Sequence, residues 1–528
     1  MRRFPRRVRR GLLRARTLFL AAAVLSLCTL AGSGITPFTD DGRGAQAAPP
    51  MAFTFGKENS WIRVQNIASV PASVTVRYYN EAGANIATDQ YPDLGPGQGW
   101  TFFQEGNPSL PIGYKGSAIV ESDQAIVALQ AKDIRRGGAF MIDGNTTTTA
   151  VGASRMYLPL IANRDGAQQD SMGRFALQNL SDDVTACATI TYLSNYTDGE
   201  IAWDPYMPGT NGAKQAGCPN GGRPVPPRAT LFRDPDTFGV PAKFTGSVRI
   251  DTHKNAAGDE PADQLLTATA DAWNTIFSLF ASYRALDESE MSTTVLLPLV
   301  DREVGAFNGY STRFQIVNKD PKKPAQVTIR IEGFDLNNGN AFVAKQNTLT
   351  VNGARLCFQD RDDFANCLAS GDRLPANFVG TARITSTQPL GVIVNRGTRF
   401  GETFTNYRGF TPQDGATRVL LPVLNKNYGP FQGRAGWNSW FRVLVADGGS
   451  ANVRIRYFGL DLPGGEQSYT VSAFREFTVF QFNERFLPNG FAGTAILESD
   501  RPIVALGNIY TDVFTGDTDL TYNGIPLQ

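Results

Sequence analysis

The sequence predicts an all-β fold built from four tandem antiparallel β-sandwich modules. Three observations lead to this prediction. Short segments in which apolar and polar residues alternate strictly recur along the chain, as in strands with one buried face. Glycine (53), proline (31) and phenylalanine (34) are abundant, which favours a turn-rich β-structure. One longer pattern occurs four times at spacings suited to whole domains.

The N-terminal residues 1–47 are predicted to be a secretory signal peptide. Met1–Arg16 contains eight arginines and no acidic residue, Thr17–Ala31 is apolar, and Ala45-Gln46-Ala47 fits a cleavage site. The apolar run is shorter than the roughly 20 residues of a membrane span. We therefore expect a secreted or cell-surface protein whose mature chain does not insert into a membrane; an uncleaved anchor and lipidation of Cys28 are the alternatives.

The charge balance argues against one class of partner. The chain has 50 basic and 49 acidic residues, a net charge of +1. A nucleic-acid-binding protein needs a basic surface. Nucleic acid is therefore not expected as a partner.

The first repeated element is a strand that contains Leu-Pro or a close variant, and it precedes a second apolar strand. It occurs as Tyr157–Ile161, Leu296–Val300 and Leu420–Leu424. The segment that follows Met51 lacks a clear copy, so we expect the edge of the first module to be completed by another segment.

The most specific repeat has the pattern Leu-Pro-x-x-aromatic-x-Gly-Ser/Thr-Ala/Val-x-Ile, with two positions varying in individual copies. Its glycines are Gly116, Gly246, Gly380 and Gly493, spaced by 130, 134 and 113 residues. Each glycine is predicted to mark a bulge or tight bend. The aromatic residue two positions earlier is predicted to fill the end of the core.

These repeats predict the domain boundaries. Module 1 spans 51–152, module 2 spans 153–291 with loop insertions, module 3 spans 292–415 and module 4 spans 416–528. We expect the four modules to form a stiff rod whose loops or edge strands contact a partner.

Four cysteines follow the leader and group as two local pairs, Cys187 with Cys218 and Cys357 with Cys367. In an oxidising compartment such pairs are expected to form disulfides.

In layout the mature chain resembles secreted bacterial surface proteins built of tandem immunoglobulin-like or related β-sandwich modules. The resemblance rests on the repeated strands and on the leader. It implies an extracellular location and assigns no functional residues.

The sequence gives little support for catalysis. The only histidine is His253, and no nucleophile motif or clustered zinc-ligand set accompanies it. Paired carboxylates from distant strands stay open as an alternative. No cofactor is expected, although Asp335 and Asn337 lie in a polar turn that could hold calcium.

The leading prediction is therefore a non-catalytic structural or adhesive protein that associates with itself or with a cell-surface or extracellular partner. The alternative is a carbohydrate-binding protein that uses loop aromatics. Trp437, Trp440 and Tyr428 are the candidate ligand-binding residues, because exposed aromatics stack on sugar rings and anchor partners.

Overall fold

The computed structural model describes residues 57–527, except 137, 148–151, 165–170, 195–199, 202–217, 219–221, 234–239, 241, 254–265, 275–277, 306–308, 360–366, 369–372, 399–402, 430–434, 460–461 and 463–464. The predicted all-β class is confirmed, and the strands pair in antiparallel sheets. The predicted leader, 1–47, lies outside the described residues, as do most of the insertions of the second module.

We number the repeats 1 to 4 by the sequence boundaries given above. Repeat 1 contains β1 Lys57–Asn66, β2 Ala72–Asn80, β3 Asn85–Leu94, β4 Gly99–Phe103, β5 Gly116–Ser122, β6 Ile126–Arg136 and β7 Ala139–Thr147. Repeat 2 contains β8 Arg155–Asn163, β9 Ser171–Asn179, β10 Ala186–Ser194, β11 Glu200–Ile201, β12 Arg223–Val225, β13 Thr230–Arg233, β14 Phe244–His253, β15 Leu266–Asn274, β16 Leu279–Arg284 and β17 Leu286–Asp287.

The remaining strands belong to repeats 3 and 4. Repeat 3 contains β18 Ser292–Arg302, β19 Tyr310–Asn318, β20 Ala325–Asp335, β21 Asn340–Val351, β22 Ala354–Phe358, β23 Phe378–Thr398 and β24 Phe404–Arg408. Repeat 4 contains β25 Ala416–Lys426, β26 Asn438–Val445, β27 Ser450–Phe458, β28 Glu466–Phe474, β29 Glu476–Phe480, β30 Phe491–Tyr510, β31 Asp519–Asn523 and β32 Ile525–Pro526.

One strand order recurs in all four repeats. It is β4-β1-β6-β7 in repeat 1 and β13-β9-β15-β16 in repeat 2. In repeats 3 and 4 the second halves of the long strands β23 and β30 take the place of β6, which gives β22-β19-β23-β24 and β29-β26-β30-β31. The last strand of each repeat therefore lies at one edge of this order.

A second order contains the strand with the Leu-Pro pattern. The Leu-Pro strand β8 pairs with β14, β18 pairs with the first half of β23, and β25 pairs with the first half of β30. In each of the three pairings the register shifts beside the proline. Proline cannot donate to the ladder, so a bulge at this position removes the conflict.

The recurring glycine has a steric cause. A Cβ on any of the four glycines would lie 2.0–2.2 Å from a carbonyl oxygen of the facing strand. It would also lie 2.5–2.7 Å from an atom of the aromatic ring two positions earlier. These rings are Tyr114, Phe244, Phe378 and Phe491. The aromatic side chain therefore folds over the glycine, which leaves no room for a larger residue.

Both predicted disulfides are formed. Cys187 bonds to Cys218 across 31 residues of sequence, and Cys357 bonds to Cys367 across 10. All four sulfur-bearing residues are buried. A covalent link limits the unfolded chain more when the loop it closes is longer.

Replacing Cys187 and Cys218 together by alanine is expected to lower the free energy of unfolding by about 3–4 kcal/mol. The double alanine variant of Cys357 and Cys367 is the matched control, and its loss is expected to be smaller, about 2–3 kcal/mol. Urea unfolding of both variants checks the order. A larger loss for the shorter loop would contradict the entropic explanation.

The four repeats close into a ring, which contradicts the expected rod. The last strand of each repeat contacts the last strand of the next: β7 contacts β16, β16 contacts β24, β24 contacts β31, and β31 contacts β7. Repeat 4 returns to repeat 1 through backbone hydrogen bonds, including one of 2.9 Å from the Ile142 amide to the Asp517 carbonyl. The rod was expected because nothing in a local sequence pattern reports contacts between repeats.

Candidate functional site

The centre of the ring holds a cluster of buried polar side chains, which we call the ring centre: Asp143, Ser282, Thr405, Asp517 and Thr521. Each last strand is an edge strand, so its outward amides need acceptors. Asp143 of β7 accepts a 2.9 Å hydrogen bond from the Ser282 amide of repeat 2 and a 3.4 Å bond from the Thr405 hydroxyl of repeat 3. One carboxyl thus joins three repeats.

Asp517, just before β31, plays the same part for two other amides. One of its oxygens accepts from the Phe280 amide of repeat 2 at 3.1 Å and from the Phe404 amide of repeat 3 at 2.9 Å. Its other oxygen is buried without a hydrogen-bond partner. Burial raises the pKa of the Asp517 carboxyl well above its usual range, and burial does the same for Asp143.

An arginine cluster lies beside the ring centre, between repeats 3 and 4. Arg396 of β23 donates a 2.6 Å bond to Asp301 of β18. The guanidinium carbon also lies 3.7 Å from the Tyr310 ring centroid and 5.6 Å from that of Trp440. A buried guanidinium gains from a carboxylate and from aromatic faces together.

The chemistry of these carboxyls is structural. Carboxyls with raised pKa values are candidate proton donors when they line an open cleft. Asp143 and Asp517 are instead fully buried and accept hydrogen bonds from the chain itself. They hold the strand edges of the ring together.

A surface groove of about 630 Å³ lies between repeats 3 and 4. Its lining includes Glu332 and Asp447, and both carboxylates are paired with arginines, Glu332 with Arg475 and Asp447 with Arg501. Arg383, also in the lining, donates a 2.8 Å bond to the Ala446 carbonyl. The groove is thus a salt-bridged seam between two repeats.

The most exposed aromatic cluster lies on repeat 4, and we call it the phenylalanine surface: Phe480, Phe482 and Phe486. These side chains are 46%, 54% and 59% exposed. They lie within seven consecutive residues, around a short 3-10 turn whose Gln481 is buried. Phe486 stacks on Tyr469 with ring centroids 5.6 Å apart, which fixes its orientation.

The structure places the predicted ligand-binding tryptophans inside the protein. Trp437 is 7% exposed and Trp440 is 9% exposed. Trp437 packs in the core of repeat 4, beside Phe140 of repeat 1. Tyr428 is half-buried against the same core. These three residues are not brought together on the surface, so we do not carry them into the proposal.

The predicted calcium ligands take part in a hairpin turn. One oxygen of Asp335 accepts from the Asn337 amide at 2.9 Å, and the other accepts from the Asn338 side chain at 2.7 Å. Calcium binding there stays a prediction. In the part of the chain that the structure describes, no three His, Cys, Asp or Glu side chains are grouped to hold a metal ion.

The described residues contain no helix that is long and apolar enough to cross a membrane. Together with the two disulfides, this is compatible with an extracellular protein. It does not by itself identify the compartment.

Sequence reasoning missed the ring centre and the arginine cluster. Asp143 and Thr405 are separated by 262 residues, so no local pattern connects them. One signal was available: the last strands of repeats 2 to 4 share a polar residue followed by tyrosine. These tyrosines, Tyr283, Tyr407 and Tyr522, each donate to the carbonyl that follows the proline of the Leu-Pro strand.

Comparison with known proteins gives no identification. No family model matches the chain, and no curated protein matches it.

Proposed function

We propose that this chain is a non-catalytic, secreted or cell-surface protein with a structural or adhesive function. In this proposal each repeat is an immunoglobulin-like β-sandwich, and the ring of four is a rigid scaffold. The phenylalanine surface is its contact site. The observation that carries the proposal is the exposure of three phenylalanines within one short segment of an otherwise well-packed repeat.

The energetics of contact surfaces support this assignment. Large aromatic side chains dominate the affinity of protein interfaces, and contiguous exposed apolar patches on soluble proteins mark contact sites. The partner we favour is a second copy of the chain or another extracellular protein. The repeated carboxyls of the ring centre, by contrast, serve the scaffold.

Carbohydrate binding is the second candidate, and one contact favours it. Phe486 is more than half exposed and is held by its stacking on Tyr469. A fixed, exposed ring can stack on a sugar face. A glycan array probed with the labelled protein distinguishes this candidate from the first.

The proposal predicts the effect of removing the surface. Replacing Phe482 and Phe486 by serine is expected to weaken self-association by roughly 30-fold or more, since each interface aromatic contributes about 2 kcal/mol. Light scattering over a concentration series measures this change. Phe334→Ser, at a 48% exposed phenylalanine of repeat 3, is the matched control and is expected to associate like the wild type.

Two results would count against the proposal. One is association that is equally strong in the double serine variant and in the control. The other is a wild-type chain that stays monomeric and retains no protein from a matched extracellular extract. Glycan-array binding that the double variant loses would instead support the carbohydrate candidate.

A further inference from the structure

Repeat 1 lacks a strand that the other three repeats possess. In repeats 2 to 4 the strand equivalent to β5 is paired on both sides, once with the Leu-Pro strand. β5 pairs with β2 along one edge. Within the described ranges no strand pairs with its other edge. An unpaired edge leaves backbone donors and acceptors without partners.

The core of repeat 1 is correspondingly open at this edge. Ala118 and Val120 of β5 are only partly buried. Their counterparts in β30, Ala495 and Leu497, are fully buried. The local sequences, Gly116–Ser122 and Gly493–Ser499, are otherwise nearly the same. The difference in burial therefore comes from the missing neighbour and not from the residues themselves.

The far side of the vacant position shows the same deficit. The Leu-Pro strand of repeat 4 is covered by repeat 1, where Arg63 donates a 3.2 Å bond to the Pro422 carbonyl. Likewise Arg442 of repeat 4 donates a 2.5 Å bond to the Pro298 carbonyl of repeat 3. By the same order, β9 of repeat 2 would cover the absent strand of repeat 1.

The outward side chains of β9 are less buried than their counterparts in β1 and β26. Ala176 and Gln178 are half-buried, whereas Arg63 and Gln65 of β1 are 7% and 1% exposed. The Nε2 atom of Gln178 is buried and has no hydrogen-bond partner. A slot with the dimensions of a strand thus lies between β5 and β9.

A segment of the N-terminal region matches the Leu-Pro strands. After the proline each of those strands has an apolar residue, and a glycine stands seven residues beyond the proline. The proline and glycine pairs are Pro159 with Gly166, Pro298 with Gly305, and Pro422 with Gly429. The segment Ile35-Thr36-Pro37-Phe38-Thr39 has the same layout, with Gly44 in the glycine position.

The chain length also fits. Gly166 precedes the end of β9 at Asn179 by 13 residues, and Gly305 precedes Asn318 by the same number. Gly44 precedes Asn66, the end of β1, by 22 residues. The connection is therefore long enough to cross from one sheet to the other, with residues to spare. By contrast, residues 51–55 run directly into β1 and leave no room for that crossing.

We infer that residues 35–39 form the missing strand of repeat 1 and fill the slot between β5 and β9 of the same chain. The pairings of the other repeats set the register: Ile35 faces Ile119, as Leu420 faces Ile496, and Thr39 faces Gly116, as Leu424 faces Gly493. Pro37 then lies at the bulge. This inference is independent of the proposed function.

The inference changes where the leader must end. Cleavage after Ala47 would remove the strand and leave the slot open. Processing is therefore expected N-terminal to Ile35, within or just after the apolar run. The Ala45-Gln46-Ala47 sequence then belongs to the connection between the new strand and β1.

Disulfide trapping tests the register directly. The full chain carries Ile35→Cys and Ile119→Cys in a Cys28→Ser background, and is exported and oxidised. Peptide mapping without reduction is expected to find these two cysteines linked within one molecule. Leu420→Cys with Ile496→Cys is the matched positive control, because that pair is opposed in the structure. A link in the control without one in the test pair overturns the inference.

A link between two molecules, found by mapping the dimer on a non-reducing gel, also overturns it, because a second copy would then fill the slot. N-terminal sequencing of the exported wild type supplies an independent readout. A first residue at or before Ile35 is expected, and a start at Ala48 overturns the inference. Neither readout requires the cysteine variants to bind any partner.

Hydrogen exchange tests whether the slot is filled in the unmodified protein. The amides of Ala118–Ser122 are expected to exchange as slowly as those of Ala495–Ser499, whose edge is covered by β25. Rapid exchange confined to β5 would show an open edge and overturn the inference. This comparison uses two segments of one molecule, so the overall stability of the chain cancels.

Discussion

Replacing Asp517 by alanine is expected to destabilise the whole ring, by about 2–4 kcal/mol. The change removes the only acceptor that the structure gives the amides of Phe280 and Phe404, and each orphaned buried amide costs about 1–3 kcal/mol. These amides belong to repeats 2 and 3, while Asp517 belongs to repeat 4. Urea unfolding monitored by tryptophan fluorescence measures the loss.

Asp517→Asn is the matched control. The amide oxygen can accept both hydrogen bonds, and the amide nitrogen takes the place of the oxygen that has no partner. The asparagine variant is therefore expected to be at least as stable as the wild type at neutral pH. If both variants lost stability equally, the hydrogen bonds to Phe280 and Phe404 would not be the cause.

The same pair of proteins tests the ionisation of the site. Burial raises the pKa of Asp517 in the folded state, so the folded chain binds more protons than the unfolded chain above the unfolded pKa of about 3.9. Stability of the wild type then falls as pH rises from there towards the folded pKa. The advantage of Asp517→Asn over the wild type is expected to grow with pH and to vanish near pH 4.

The second large effect is expected at Arg396. Replacing it by methionine leaves the Asp301 carboxylate, whose side chain is 1% exposed, without its cation. Breaking a buried ion pair in this way costs about 3–5 kcal/mol. Thermal unfolding is expected to show a correspondingly lower midpoint.

A double variant separates the charge from the packing. Arg396→Met combined with Asp301→Asn removes both charges and is expected to recover part of the loss. If the double variant is less stable than Arg396→Met alone, packing of the guanidinium against Tyr310 and Trp440 outweighs the ion pair. The explanation given for the arginine cluster would then be wrong.

The elements that follow from local chemistry could be predicted from the sequence. Alternation in Val74–Tyr78 predicted a strand with one buried face, and β2 is such a strand. The short separations within the two cysteine pairs predicted both disulfides. The repeated glycines were assigned to a bend or bulge, and the register does shift beside three of them. The sequence could not reveal that the aromatic ring excludes a Cβ there.

The candidate sites were harder to predict, because they depend on contacts between repeats. Trp440 was considered as a surface platform, since a tryptophan next to a glycine-rich loop is commonly exposed. The side chain is instead buried near Arg396, a residue 44 positions earlier in the sequence. Asp143 and Asp517 gave no signal at all, because an aspartate in a polar turn looks the same whether or not another repeat covers it.

Small-angle X-ray scattering of the exported chain tests the closed ring most directly. A compact chain of this length has a radius of gyration of about 24 Å. The ring predicts a value near that and a single-peaked distance distribution. A radius of roughly 36 Å or more, which four such domains in a line would give, would contradict the ring and restore the rod expected from the repeats.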